Sequence, residues 1–195
     1  MLDTWMAKSR WLRAAQWRAA GIVHQAGIPA NGATAGAALI GVLAALLLAC
    51  GLDGAGIAAL WASAALDALD GAIARNFERP TALGGVLDLA SDRAVEAAAL
   101  LGVVWRRPTL DFAALTVLAS WYVNITVFLA VGSAMGGEEK LIGYPPGLLE
   151  RTEALVFFTL LIYAGGAGIW LCYAYAAMEI LTAAQRLAFA RRHLR

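Results

Sequence analysis

Long apolar runs separated by short polar breaks make up most of the chain after residue 32. We interpret six of these runs as membrane-spanning helices, because roughly 20 mainly apolar residues are needed to cross a bilayer. The breaks between them carry the glycines, prolines and charges that typically end a helix. The pattern predicts an all-α, polytopic membrane protein with a six-helix bundle over 33–190, in runs at about 33–50, 54–76, 81–105, 110–134, 150–164 and 169–189.

The first 26 residues follow a different pattern, in which tryptophans are mixed with basic residues. Such a segment is too polar to span a bilayer but suits the headgroup layer. We therefore expect an interfacial amphipathic helix over 1–26. The alternative is a disordered basic tail, although Trp5, Trp11 and Trp17 are unusual in disorder. Just downstream, Asn31 is expected to cap the first spanning helix.

Composition agrees with a membrane protein. Hydrophobic residues make up 61% of the chain and charged residues 15%, whereas a soluble domain has about 25% charged residues. The net charge of +1 argues against nucleic acid as a partner. No internal repeat or low-complexity tract is present, and we interpret 1–195 as a single domain.

The basic residues predict how the chain is oriented. With six spans, both termini and the links after the second and fourth spans share one side. All lysines and arginines except Arg106 and Arg107 belong to that side. Because basic residues are enriched in cytoplasmic segments, we expect an integral protein of a bacterial-type inner membrane with both termini in the cytoplasm.

Four aspartates stand out in the second and third apolar runs. Asp67 and Asp70 are spaced i,i+3, and Asp88 and Asp92 are spaced i,i+4, so each pair projects from one helix face. A carboxylate within a membrane helix costs roughly 2.5–3.5 kcal/mol, and four together repel one another. Bound cations would stabilise such a cluster. Oxygen ligands without nearby histidine or cysteine favour magnesium or manganese over zinc.

The surroundings of these aspartates suit a phosphate-bearing ligand. The link over 76–80 is short and charged, so it predicts an antiparallel helix pair whose linked end is exposed to solvent. Gly71, Ala74 and Gly84 are small residues near that end and leave space between the helices. Arg75 adds a positive charge at the same level.

These residues resemble the motif of the CDP-alcohol phosphotransferase family of integral membrane enzymes. The matching positions lie at fixed spacing and are Asp67, Asp70, Gly71, Ala74, Arg75, Gly84, Asp88 and Asp92. The resemblance implies that an alcohol hydroxyl attacks the β-phosphorus of a CDP-linked donor such as CDP-diacylglycerol (CDP-DAG). A phosphodiester would form in the membrane and CMP would leave. The active-site mouth is then expected on the cytoplasmic side, where CDP-linked substrates are made.

The resemblance also implies roles for individual residues. Four aspartates would hold two divalent cations, magnesium or manganese, and Asp92 would in addition act as the general base. It further implies a CDP-linked lipid donor, a small polar alcohol as acceptor, and a homodimer. The positions matching the family's nucleotide and diphosphate site are Asn31, Thr34, Gly71, Ala74, Arg75, Thr81 and Gly84.

The acceptor side of the sequence is similar to bacterial phosphatidylinositol phosphate synthases, through 150–153 and 185–187. Arg151 and Arg186 are the candidates for binding an anionic acceptor. Where those enzymes carry a basic residue on the fourth helix, this chain has Asn124. We therefore expect inositol phosphate to be a poor acceptor. An ion pair with a neighbouring glutamate is an equally open interpretation of Arg151.

Three questions stay open at this point. Glu96 continues the face of Asp88 and Asp92, where it could support the metal site or form a hydrogen bond with a neighbouring helix. Arg93 is expected to pair with another helix or to extend toward the headgroups. The aspartates could also line an ion path in a small transporter, or belong to an inactive homologue.

Overall fold

The computed structural model describes residues 9–135, 149 and 151–194. Within these residues the chain is almost entirely helical and has no strand, which confirms the all-α prediction. Short 3₁₀ turns precede the fifth and seventh helices. The helices are α1 (Arg10–Gln25), α2 (Ala30–Ala49), α3 (Asp53–Asn76), α4 (Ala82–Arg106), α5 (Asp111–Met135), α6 (Arg151–Tyr163) and α7 (Gly168–His193).

Among the described residues the chain divides into two compact units. The first ends at Pro108 and contains α1 to α4, and the second begins at Thr109 and contains α5 to α7. The prediction of a single domain over 1–195 stays a prediction.

In the first unit, α2 packs against both α3 and α4. Gly102 shows how closely the helices approach, because a Cβ added there would lie 2.3 Å from the Ala45 carbonyl oxygen. Ser63 of α3 donates a hydrogen bond to the Ala37 carbonyl of α2 at 2.7 Å. Small residues at helix contacts are typical of membrane helix packing. The packing brings α3 and α4 into fixed positions beside the first turns of α2.

Helix α1 lies against α3 in the same unit. The rings of Trp17 and His24 stack on Phe77, and Gln16 donates a hydrogen bond to the Ala68 carbonyl at 2.6 Å. Trp11, in contrast, is 72% exposed. The structure thus contains a helix in the region where we expected one. Its interfacial location stays a prediction, and residues 1–8 lie outside the described part of the chain.

Four of the described helical stretches are long and apolar enough to cross a membrane. Helix α4 is 25 residues long but carries four ionisable side chains in its middle, and the described part of α6 has 13 residues. At 1.5 Å per residue that part of α6 is shorter than the hydrocarbon core. The count of six spans therefore stays a prediction. The four stretches are Ala30–Ala49, Asp53–Asn76, Pro108–Met135 and Gly165–His193.

In the second unit, α7 packs against α5 and α6. Its core is aromatic: Trp121 of α5 and Phe157 of α6 both contact Tyr175 of α7, with ring centroids 6.2 and 4.0 Å apart. Such pairs contribute about 0.5–1.5 kcal/mol beyond their buried area. The polar link over 136–148 lies outside the described residues, as does Glu150.

The start of α2 corrects one expectation. Asn31 does not cap this helix, because α2 begins at Ala30 and Pro29 occupies the cap position with extended backbone angles. Proline has no side-chain acceptor for the free N–H groups of the first turn. The Ala30 N–H instead donates to the carboxylate of Glu78, at 3.2 Å to Oε1. The prediction failed because this acceptor comes from the link after α3, far away in sequence.

Candidate metal centre

The candidate site forms where α3 ends and α4 begins. Only residues 77–81 separate the two helices. Thr81 starts α4 as a side-chain cap, since its Oγ1 accepts a hydrogen bond from the Gly84 N–H at 3.0 Å. This cap satisfies one of the free N–H groups of the first turn. The short link brings the aspartates of both helices to the same end of the unit.

Three carboxylates meet between these helices. Asp67 and Asp70 of α3 and Asp88 of α4 each offer an oxygen, and these oxygens all lie within 4.8 Å of one another. Asp67 and Asp70 are buried and Asp88 is partly buried. The buried Thr34 hydroxyl of α2 donates a hydrogen bond to Asp70. An all-oxygen set with this spacing fits a hard divalent cation.

Asp92 lies one turn further along α4 and is not part of the three-carboxylate group. Its charged neighbours are Glu96, Arg93, Asp88 and Asp70, so it belongs to the same acidic region. Its predicted role as a metal ligand therefore stays a prediction. The partly buried position between the cluster and Glu96 is compatible with a group that exchanges a proton.

Arg93 and Glu96 form an ion pair within α4. Arg93 Nη1 lies 2.6 Å from Glu96 Oε2, and Nη2 donates to Oε1 at 2.9 Å. The expectation that Arg93 pairs with another helix was wrong, because the i,i+3 spacing places both side chains on one face. The two roles considered for Glu96, support of the metal site and a hydrogen bond with a neighbouring helix, stay predictions. The pair offsets one negative charge beside Asp92.

The residues predicted to bind the CDP donor lie at the same end of the unit. A Cβ added at Gly84 would lie 3.1 Å from Thr81 Oγ1 and 3.2 Å from Asn31 Oδ1, so the three residues adjoin. A Cβ at Gly71 would lie 3.0 Å from Arg75 Nη1. Because glycine has no side chain, the backbone at Gly84 stays accessible beside the Asn31 amide and the Thr81 hydroxyl. The backbone at Gly71 likewise stays accessible beside the Arg75 guanidinium. These groups are well suited to phosphate and ribose oxygens.

Two other predicted donor residues have structural contacts. Ala74 packs against the apolar cluster that includes Ala33 and Ile73, so its small size also serves helix packing. Thr34 is buried, and its hydroxyl is directed at Asp70. Thr34 is therefore placed to orient a carboxylate of the cluster. Donor binding by either residue stays a prediction.

Glu78 is a functional candidate that the sequence did not reveal. Its carboxylate accepts from the Ala30 N–H and lies 3.6 Å from His24 Nδ1, so it contacts α1 and the start of α2. Asn31 and Thr34 follow in that first turn of α2. No spacing pattern connects residues 30 and 78, and a glutamate in a polar link is ordinarily solvated.

The candidate acceptor residues lie in the second unit. Arg186 of α7 donates from Nη1 to Asn124 Oδ1 of α5 at 2.6 Å. The Asn124 Nδ2 donates to Glu179 of α7. A basic group therefore does reach position 124, although it comes from another helix. Arg151 begins the described part of α6 and is partly buried, and both of its proposed roles remain open.

Similarity to known proteins identifies the family of this chain. A scan against protein families matches CDP-alcohol phosphatidyltransferase over residues 28–187. The match covers most of the chain and includes all four aspartates. The chain belongs to the CDP-alcohol phosphatidyltransferase family.

Related phosphatidyltransferases include a curated phosphatidylinositol phosphate synthase from Mycobacteroides abscessus. It is 31% identical to this chain over 135 residues, which are 66% of this chain and 61% of the relative. The chain thus aligns with less than two thirds of that protein's length. The similarity to this group of synthases confirms the resemblance seen in the sequence.

Solved structures of Mycobacterium tuberculosis phosphatidylinositol phosphate synthase are also similar. The form with CDP-DAG bound has a TM-score of 0.74 at 25% identity, covering 90% of this chain and 92% of that one. The complex with manganese and citrate has a TM-score of 0.72 at 25% identity, covering 90% and 88%. A membrane-enzyme family and four apolar helices indicate an integral membrane protein. The acidic cluster and the manganese in the relative indicate a divalent metal site in this member of the family.

Proposed function

We propose that this protein transfers a phosphatidyl group from CDP-DAG to the hydroxyl of a small polar alcohol, with release of CMP. The observation that carries the proposal is the group of three carboxylates, Asp67, Asp70 and Asp88, formed by the family's own motif residues. A related synthase of known structure binds CDP-DAG. Synthesis of a phospholipid in the membrane is the corresponding biological role.

The metal proposed for this site is magnesium or manganese, as two ions. Asp67, Asp70 and Asp88 would hold them, with Asp92 as a further ligand from the next turn of α4. Bound divalent cations offset the charge of a pyrophosphate and stabilise the departing phosphate oxygen. Thr34 supports the arrangement by fixing the orientation of Asp70.

The remaining steps are assigned to side chains of the first unit. Arg75, beside Gly71, would bind the diphosphate of CDP-DAG. Asp92 would accept the proton of the acceptor hydroxyl while the hydroxyl oxygen of the acceptor bonds to the β-phosphorus. The bond from that phosphorus to the bridging oxygen then breaks and CMP leaves. The nucleotide would be held by the remaining donor residues, namely Asn31, Thr34, Ala74, Thr81 and Gly84.

Arg151 and Arg186 are proposed to bind an anionic group of the acceptor alcohol. Support comes from the contact of Arg186 with Asn124, which supplies a guanidinium where the sequence lacks a base. The acceptor itself is left as a small polar alcohol. A homodimer is proposed from family resemblance alone.

We also propose that both termini and the active-site end face the cytoplasm. The support is the distribution of arginine and lysine along the sequence. Cys50 is exposed at the far end of α2 from the aspartates. An impermeant thiol reagent should therefore label Cys50 in intact cells. Labelling only after lysis would contradict this orientation.

The function is tested with purified protein in detergent–lipid micelles containing CDP-DAG and magnesium. Glycerol 3-phosphate, inositol 1-phosphate, inositol and serine are added separately, and CMP and the lipid product are measured by mass spectrometry. The proposal predicts CMP in equal amount to one new phospholipid. Absence of CMP with every acceptor, together with cation flux in proteoliposomes, would favour a transporter instead.

A further inference from the structure

Two polar side chains are buried between α5 and α7 in the second unit. Asn124 is 8% exposed and Glu179 is 5% exposed. Burying an amide and a carboxylate costs free energy unless both form hydrogen bonds. Their hydrogen bond to each other, and that of Asn124 to Arg186, offset part of this cost.

The chemistry of the three groups fixes the orientation of the amide. A guanidinium only donates hydrogen bonds and a carboxylate only accepts them. Asn124 must therefore direct Oδ1 at Arg186 and Nδ2 at Glu179, as the structure has it. An amide is the side chain that can serve both partners while adding no charge. Leucine would serve neither, and aspartate would repel Glu179.

Arg186 has a second contact on α5. Its guanidinium carbon lies 4.7 Å from the ring centroid of Phe128, close enough for a cation–π interaction. Asn124 and Phe128 are four residues apart, so they lie on one face of α5, one turn from each other. The amide of Asn124 and the ring of Phe128 together hold the planar guanidinium in a defined direction.

We propose that Asn124 is a positioning residue for acceptor specificity. Its amide, anchored by Glu179, orients Arg186 so that the guanidinium binds the anionic group of the acceptor. This inference rests on the proposed phosphatidyl transfer. It adds two residues, Asn124 and Glu179, that do not themselves contact the substrate. Their effect should therefore appear in the KM for the acceptor and not in that for CDP-DAG.

The test uses glycerol 3-phosphate as the anionic acceptor and glycerol as its neutral counterpart. Asn124→Ala should raise the KM for glycerol 3-phosphate at least tenfold, and the KM for CDP-DAG should stay within about twofold. In an Arg186→Gln background, Asn124→Ala should have little further effect, since both act through one group. The matched control is Ser120→Ala, because Ser120 is a buried polar residue of α5 that donates within its own helix, to the Val117 carbonyl.

An exchange variant separates positioning from stability. Asn124→Asp combined with Glu179→Gln keeps the net charge and one amide–carboxylate pair, but it places a carboxylate directly against Arg186, where it competes with the anionic group of the acceptor for the guanidinium. Thermal unfolding should return close to the wild-type midpoint, while the KM for glycerol 3-phosphate stays raised at least tenfold. A wild-type acceptor KM in the exchange variant would overturn the proposal.

Two further results complete the test. Arg186→Lys keeps the positive charge but loses the planar guanidinium that contacts Asn124 and Phe128. It should show the same selective rise in acceptor KM. This result does not depend on whether the exchange variant folds. An unchanged acceptor KM in Arg186→Lys and Asn124→Ala would refute the inference while phosphatidyl transfer itself stands. If neither the wild type nor any variant releases CMP from CDP-DAG, the proposed phosphatidyl transfer is refuted, and the inference about Asn124 is refuted with it.

Discussion

At the scale of single residues, Asp92 and Arg75 lie outside the group of three carboxylates. Asp67, Asp70 and Asp88 share one small space. Asp92 lies a turn away beside Glu96, and Arg75 lies against Gly71. These positions suggest that Asp92 and Arg75 contribute to different steps. Their variants should therefore fail differently.

The two variants to compare are Asp92→Asn and Arg75→Ala. Asp92→Asn keeps the shape of the side chain and should still bind CDP-DAG in magnesium while turnover falls sharply. Arg75→Ala loses a charge-assisted contact of about 1.5–3 kcal/mol, so donor affinity should fall about ten- to a hundredfold. CDP-DAG titrations followed by thermal shift measure both.

Arg79→Ala is the control for that comparison, because Arg79 is an exposed arginine in the link that follows α3. It should bind CDP-DAG like the wild type. If Asp92→Asn abolished donor binding and Arg75→Ala left it unchanged, the roles assigned to these two residues would have to be exchanged or abandoned.

At the scale of helices, Glu78 links three segments that the sequence presents as separate. It accepts from the first N–H of α2 and approaches His24 of α1, next to the stacked ring of Phe77. The first turn of α2 carries Asn31 and Thr34. The orientation of this turn therefore depends on a residue in the link after α3.

We predict that Glu78→Ala lowers the free energy of unfolding by about 1–3 kcal/mol, because the partly buried Ala30 N–H loses its acceptor. Donor KM should rise as well, since Asn31 and Thr34 follow directly. Glu78→Gln keeps an acceptor oxygen, so its free energy of unfolding and its donor KM should lie between those of Glu78→Ala and the wild type. Denaturation in detergent micelles and donor KM measure these effects, with Arg79→Ala as the control in the same link.

A Glu78→Ala protein with wild-type stability and donor KM would show that the hydrogen bond to Ala30 is dispensable. Loss of stability alone, with donor KM unchanged, would show that the first turn of α2 does not contribute to donor binding.

At the scale of the whole molecule, the sequence predicted what depends on local spacing. Helix type followed from apolar runs, and the meeting of Asp67, Asp70 and Asp88 followed from i,i+3 spacing and a short link. Contacts between distant residues were missed, because periodicity contains no information about them. The Glu78 contact with Ala30 and the Glu179 contact with Asn124 are both of this kind.

Glu179 did leave a signal in the sequence. It is the only acidic residue within 168–193, an otherwise apolar and basic stretch. A lone carboxylate in such a helix needs a partner, since burying it unpaired is costly. The sequence could therefore indicate that a partner exists but not which helix supplies it. That Asn124 is this partner becomes apparent only from the packing of α5 against α7.

In the proposed function, the three carboxylates hold the cation on which phosphatidyl transfer depends. The most direct measurement is CMP release from CDP-DAG in the presence of EDTA, and in variants with Asn at position 67, 70 or 88. Asp53→Asn is the matched control, because Asp53 lies on α3 with Asp67 and Asp70 and pairs with Arg106 at the other end of that helix.

We predict that EDTA abolishes CMP release, that magnesium or manganese restores it, and that Asp67→Asn, Asp70→Asn and Asp88→Asn each lower turnover by at least about two orders of magnitude. Asp53→Asn should keep activity within a few-fold of the wild type. Full turnover in excess chelator, or wild-type turnover in all three site variants, would contradict this account.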